Sequence, residues 1–308
     1  MYNRSFGLAD RAFAVPATNA TRYKAASIAK LFTSVLILQL VEDGRLRLDQ
    51  PIHAYLPDYP GEGANQITIH HLLNHTSGIE QFDRVTSVQQ ALEQGVPNYQ
   101  RPQTGAALLK SCCSGKVARA AGAAFDYNNA DYIVLGRIIE RVTGKSYDAI
   151  LSERIIQPLR LRDTGFTRQS EIVDRLAPTY FWRDDVKLLI NDLPMYFENW
   201  DAAGALYSTA PDLAAFADAL YGGRLLKPAS LTLMLKPGLD DYGYGLWSYS
   251  FKRNGKTYNV AKRPGSIMGA NAVLYRLLDD GTTIIILANT NRADLDVFAQ
   301  SIADILVR

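Results

Sequence analysis

The stretch Ser27-Ile28-Ala29-Lys30-Leu31-Phe32-Thr33-Ser34-Val35-Leu36-Ile37-Leu38-Gln39-Leu40-Val41-Glu42 anchors the reading of this chain. Apolar residues fall almost all round a helix drawn through it, so that helix belongs inside a core. Asp43-Gly44 stops it, since a glycine just past a helix end accepts the left-handed backbone. Ser27 stands at the start, where unpaired backbone N–H groups and the positive end of the dipole favour a developing anion. Lys30 lies one turn on and reaches the same face. Desolvation there favours the neutral amine, which can accept a serine proton. The plainer alternative is a serine N-cap followed by a lysine whose head reaches solvent.

Upstream, residues 2–9 read as a short strand. Downstream, residues 49–199 read as mostly helical segments with turns, at 69–75, 88–94, 104–119, 130–143 and 146–155. Thr76-Ser77-Gly78, Thr143-Gly144 and Gln157-Pro158 break them. Thr209-Ala210-Pro211-Asp212 signals another helix, a capping residue with proline just inside, running to about 220. The last third alternates strands (242–251, 256–262, 271–278, 282–289) with the tight turns Arg253-Asn254-Gly255 and Asp279-Asp280-Gly281. Such turns make hairpins, so the sheet is antiparallel. Residues 294–307 close the chain as an amphipathic helix with Leu295, Phe298, Ile302, Ile305 and Leu306 on one side. The whole is an α+β fold in one domain, 1–308. An antiparallel sheet flanked by helices forms one lobe (about 1–45 and 204–308), and a mainly helical lobe occupies about 46–203.

Composition narrows the function classes. The 308 residues are 47% hydrophobic and 21% charged, a globular balance that excludes disorder, collagen and coiled coil. A net charge of +2 leaves no footprint for nucleic acid or an anionic membrane. The longest apolar runs fall short of the ~20 residues of a membrane span, and residues 1–10 show no signal-peptide pattern. The adjacent Cys112 and Cys113 read as free thiols in a helix, which leaves the redox compartment open. His70, His71 and His75 are close in sequence, but residues 67–79 lack the carboxylate or cysteine company of a metal site.

Tyr127-Asn128-Asn129 is the second chemistry-bearing segment. A tyrosine beside a cationic lysine loses its proton more readily and can act as base or shuttle. Asn129 carries both donor and acceptor, suited to orienting the lysine and a substrate carbonyl. Equally, Asn128 or Asn129 can be the N-cap of the following helix.

Ser27-x-x-Lys30 followed by Tyr127-x-Asn129 resembles the first two motifs of the serine β-lactamase and penicillin-binding-protein superfamily, in the branch of class C β-lactamases, D-alanyl-D-alanine carboxypeptidases and related esterases. Residues 6–10, Leu72-Leu73-Asn74-His75-Thr76-Ser77-Gly78, residues 202–209 and Tyr242-Gly243-Tyr244-Gly245 are similar to family landmarks in the same order. The third motif, Lys or His, any residue, then Gly, aligns with Arg263-Pro264-Gly265, while Lys236-Pro237-Gly238 fits the pattern from a loop and is set aside. Arg263 keeps a positive charge, to hold a substrate carboxylate or to bias Tyr127, in a planar shape that cannot release a proton. Pro264 removes a hydroxyl and a backbone donor, and Gly265 would let substrate backbone approach. Relatives carry a further strand before the one ending in Gly7-Leu8-Ala9-Asp10; its absence here should expose a sheet edge.

The resemblance implies acyl transfer. Ser27 attacks a carbonyl while Lys30 or Tyr127 takes its proton, and the N–H groups of Ser27 and Ser266 hold the oxyanion, with no metal or organic cofactor required. Catalytic roles fall to Ser27, Lys30 and Tyr127, and substrate contacts to Asn129, Arg263, Gly265 and Ser266. The implied activity is hydrolysis of an ester or of a D-amino-acid peptide or amide, on a small-molecule or peptide substrate, with weak β-lactamase action. The alternatives are a protein acylated by β-lactams without turnover, a true class C-like β-lactamase, and an inactive recognition domain. The aromatic stretch Tyr180, Phe181, Trp182, Tyr196, Phe197 and Trp200 reads mostly as packing.

Overall fold

The computed structural model describes residues 2–81, 88–96, 98–111 and 115–307, so Cys112 and Cys113 lie outside the described residues. The helix Ala29–Glu42 runs through the core, with eleven of its residues buried. Its apolar surface explains this, and its buried hydroxyls are matched: Thr33 donates to Ala202 O at 2.7 Å, and Ser34 shares a hydrogen bond with Tyr132 Oη at 3.1 Å. Phe32 stacks on Phe216 at 3.8 Å between centroids, tying the helix to Ala210–Tyr221. Gly44 (φ 70°) ends it as expected.

Four antiparallel strands form the main sheet, in the order Thr283–Ala288, Ala270–Leu277, Lys256–Ile267, Trp247–Arg253. Among the described residues Thr283–Ala288 and Trp247–Arg253 each pair along one side only and form the two edges of this sheet. One face packs on the central helix, where Ala272, Leu274, Ile285 and Leu287 join the large core. The other face carries Val260, Val273, Tyr275 and Ile284 against the closing helix Leu295–Leu306. Asp294 caps that helix, accepting from Asp296 N and Val297 N.

Several boundaries differ from the sequence reading. The first strand is only Leu8–Asp10, paired with Val15–Pro16. The helix expected over 104–119 is Gly105–Ser111, and residues 115–119 are not helical. The helix expected over 146–155 is Tyr147–Leu151 followed by one wider turn, Ser152–Ile156. A hairpin, Tyr180–Arg183 with Leu188–Asn191, interrupts the stretch read as helical. The strand expected from 242 starts at Trp247, because Tyr242–Leu246 is spent on a tight turn that closes on itself. On the closing helix Leu295, Ala299 and Ala303 are buried whereas Phe298, Ile305 and Leu306 are exposed. Leu295, Ala299 and Ala303, with Ile302 beside them, face the sheet, and the two alanines allow close approach.

Candidate active site

Ser27 sits in a single 3-10 turn, Ala26–Ile28, that leads directly into the central helix. It makes no capping hydrogen bond. Its Oγ instead accepts from Lys30 Nζ at 3.1 Å and shares a hydrogen bond with Tyr127 Oη at 2.8 Å. The turn is strained, since Ala26 holds φ 48°, an uncommon conformation for a residue with a Cβ.

Lys30 is fully buried and does not reach solvent. Its ammonium donates to three acceptors, Ser27 Oγ, Asn129 Oδ1 at 2.7 Å and Ala203 O at 2.9 Å. Three acceptors match the three N–H bonds of a charged amine. The two asparagines divide their work. Asn128 is the N-cap of the Asn129–Thr143 helix, accepting from Ala130 N, while Asn129 turns to the lysine.

Arg263 lies on the strand Lys256–Ile267, on the register opposite Leu274. Only 1% of it is exposed. Nε donates to Ser27 O at 2.7 Å, Nη1 to Tyr242 Oη at 2.7 Å, and Nη2 to Tyr127 Oη. Its guanidinium points inward and engages the site's own groups, so the substrate carboxylate expected at Arg263 would meet a buried side chain that is already bonded to Ser27, Tyr242 and Tyr127. Burial alone raises a phenol's pKa, but the Arg263 guanidinium and the Lys30 ammonium overcome it and bring Tyr127 down to about 8. Burial pushes the neighbouring Tyr132 and Tyr242 upward, so the cations single out one tyrosine of the three.

Gly265 is needed for a different approach than expected. A Cβ built there would stand 2.5 Å from Ala25 O and 3.0 Å from Ser27 N, so the glycine lets the strand lie against the turn that carries Ser27. Ser266 is the next residue and is exposed. Ile267 and Ala270 flank a two-residue turn and close the ladder with the neighbouring strand. By alternation, Ser266 directs its N–H to the opposite edge. The strand Trp247–Arg253 ends its pairing at Lys262 and leaves that edge open beside Ser27. Pro264 points its nitrogen the same way, which is why a proline is tolerated in this strand. Lys236-Pro237-Gly238 lies in a loop after the helix Pro228–Leu235, as expected.

The sequence reading gave no role to four contributors. Tyr242 accepts from Arg263, Trp247 stacks over Tyr127 with centroids 6.1 Å apart, Ala203 supplies a carbonyl to Lys30, and the His75 ring lies 4.5 Å from that of Tyr127. Tyr242, Ala203 and His75 sit inside segments recognisable as landmarks, whereas Trp247 carries no sequence signal. The aromatic stretch is mostly packing: Tyr180, Phe181, Phe197 and Trp200 are buried, with Trp200 stacked on Tyr99 at 3.6 Å.

The helix start at Ser27 brings serine, lysine and tyrosine side chains within hydrogen-bonding distance of one another. The chain belongs to the Beta-lactamase family, whose profile matches residues 1–307. It is similar to a penicillin-binding protein from Bacillus halodurans, with TM-score 0.83 and 29% identity over 98% of this chain and 92% of that one. It is also similar to a D-stereospecific amidohydrolase from Streptomyces sp., with TM-score 0.80 and 29% identity over 91% of this chain and 86% of that one. Esterase EstB of Burkholderia gladioli is 34% identical over 58% of this chain and 47% of its own length. The chain spans between 32% and 65% of the length of the first curated relatives it matches. Among the described residues no helix is long and apolar enough to cross a membrane.

Proposed function

We propose that this protein is a serine hydrolase that forms an acyl-enzyme on Ser27 and acts on esters or D-amino-acid amides. The convergence of Lys30 Nζ and Tyr127 Oη on Ser27 Oγ, at 3.1 and 2.8 Å, carries this reading. Similarity to an esterase and to a D-stereospecific amidohydrolase supports it. Ser27 Oγ attacks the carbonyl carbon as its proton passes to the Tyr127 phenolate. Lys30, held by Ser27 Oγ, Asn129 Oδ1 and Ala203 O, stays beside the nucleophile as a cation in this reading. The N–H groups of Ser27 and Ser266 face the developing oxyanion. Tyr127 then delivers the proton to the leaving group, and a water repeats the cycle to release the acid.

With Tyr127 ionised as base, activity follows its phenolate. Below the midpoint near pH 8, kcat/KM falls about tenfold per pH unit, and above it the profile levels off. A pH series on p-nitrophenyl butyrate checks this; a flat profile between pH 6 and 8 contradicts the assignment of the base.

Substrate class follows from the open strand edge. A β-lactam needs donors for its carboxylate beside the reacting carbonyl, yet Pro264 offers neither a hydroxyl nor an N–H and Arg263 is enclosed. Losing one hydrogen bond to a charged group costs roughly 1.5–3 kcal/mol. Short p-nitrophenyl esters are therefore hydrolysed with higher kcat/KM than nitrocefin, and Pro264→Thr moves the ratio toward nitrocefin about ten- to a hundredfold. Efficient nitrocefin turnover by the unaltered protein contradicts this.

A further inference from the structure

A second buried pair lies behind the site and takes no part in the chemistry proposed above. His75 and Asp131 are each 0% exposed, with Nδ1 2.8 Å from Oδ2. Asp131 is fixed from its other side, where Oδ1 accepts from Ser77 Oγ at 2.6 Å. His75 follows the helix Ile69–Leu73 and holds φ 56°, a conformation a β-carbon disfavours and a structure retains only when its surroundings enforce it.

The histidine grips the tyrosine loop at three points. Its carbonyl accepts from Asp126 N at 2.9 Å, and its Nδ1, bonded to Asp131, also stands 3.3 Å from Asn128 N, so the histidine bonds the residue before Tyr127 and packs against the one after it. Between them the His75 ring packs against the Tyr127 ring at 4.5 Å, with Tyr242 and Tyr132 at 5.0 and 5.1 Å. Nε2 is buried and has no hydrogen-bond partner among the described residues, so the imidazole's outer edge is committed to aromatic contact and not to a polar network. Asn128 Nδ2 donates to Ile79 O at 2.8 Å, and Gln81 donates to Tyr127 O, extending the cradle along the same turn.

We propose that His75, clamped by Asp131, is the positioning residue that holds the Tyr127 phenol in line between Ser27 and Arg263. The inference rests on the hydrolase reading for its kinetic test, though not for its spectroscopic one. The charged and titratable groups facing Tyr127 are Ser27 and Lys30 from the central helix and its leading turn, and Arg263 from the strand. Tyr132, Tyr242 and His75 itself complete the set, with Asp126 adjoining in the chain. Burial, reinforced by Lys30 and Arg263, keeps the imidazole neutral. It therefore acts on Tyr127 by placement, and the two cations do the lowering.

His75→Asn tests this, because asparagine tolerates the left-handed backbone while losing the ring. Misplacing a catalytic group by about an ångström costs up to ~100-fold. We expect kcat on p-nitrophenyl butyrate to fall roughly ten- to a hundredfold with KM within about threefold. The acid limb of the pH profile moves to higher pH as the phenol leaves its cations. Combined with Tyr127→Phe, the substitution costs less than about twofold more, since both act through one group. Asp131→Asn, which spares the ring, shows a smaller shift of the limb in the same direction and serves if His75→Asn does not fold. Multiplying effects in the double variant, or an unmoved limb, overturn the proposal. If the unaltered protein shows no Ser27-dependent hydrolysis, the hydrolase reading fails instead. Near-ultraviolet titration of the Tyr127 phenolate, identified by its loss in Tyr127→Phe, then decides: a raised midpoint in His75→Asn supports the positioning role and an unchanged one overturns it.

Discussion

Ser27→Ala abolishes covalent labelling by a fluorophosphonate and lowers ester hydrolysis by at least ~10⁴-fold, while the protein still folds. The hydroxyl is the only atom lost, and it is the atom on which Lys30 and Tyr127 converge. Neither partner is stranded by its removal. Lys30 keeps Asn129 Oδ1 and Ala203 O, and Tyr127 keeps Arg263. The stability cost is accordingly about 1–2 kcal/mol, the order of one or two neutral hydrogen bonds. Ser27 does not cap the helix, so no capping loss is added. Mass spectrometry of the labelled protein with thermal unfolding measures both quantities. Labelling that persists at full stoichiometry in the alanine variant removes Ser27 from the mechanism.

Lys30→Met separates the lysine's charge from its bulk and is expected to cost at least ~10³-fold in kcat/KM. The methionine side chain follows nearly the same path through the core. The charge, however, serves three acceptors and stands 4.8 Å from the Tyr127 ring centroid. Without it one of the two cations that lower the tyrosine is gone, so the acid limb of the pH profile moves upward from about 8. Asn129 Oδ1 and Ala203 O also lose the donor that Lys30 supplies. Lys30→Arg keeps the charge but brings a larger planar group into a fully buried position, and it fails for want of space. Activity of Lys30→Met within tenfold of the original, with an unmoved limb, contradicts the role given to Lys30.

The resemblance reached the fold because its carriers are local. A helix apolar on all sides, a glycine stop at Gly44, Asn-Gly and Asp-Gly turns and a proline-led helix at Thr209 each state their conformation within a few residues. The same holds for Ser27-x-x-Lys30, where helical periodicity alone puts both side chains on one face. Element ends were less legible. Residues 115–119 pair irregularly with distant chain, Ile79 with Val117, and residues 242–246 close a turn on themselves, and no local signal announces either.

Of the candidate site, the sequence by itself determined the identity and order of Ser27, Lys30, Tyr127, Asn129 and the Arg263-Pro264-Gly265 segment. Only the tertiary structure decided what Arg263 and Gly265 touch. A guanidinium reads the same in sequence whether it faces solvent or core. Its inward direction comes from the strand register opposite Leu274 and from the two phenols waiting there. Gly265 reads as room for a ligand until the turn at Ala25 is found in that room. His75 and Asp131, 56 positions apart, meet because the turn after one helix folds against the first turn of another. Local chemistry is written in neighbouring residues. Which long side chain meets which, and from which side, is set by packing between segments about a hundred or more residues apart, as between Lys30 and Asn129 or Tyr127 and Arg263.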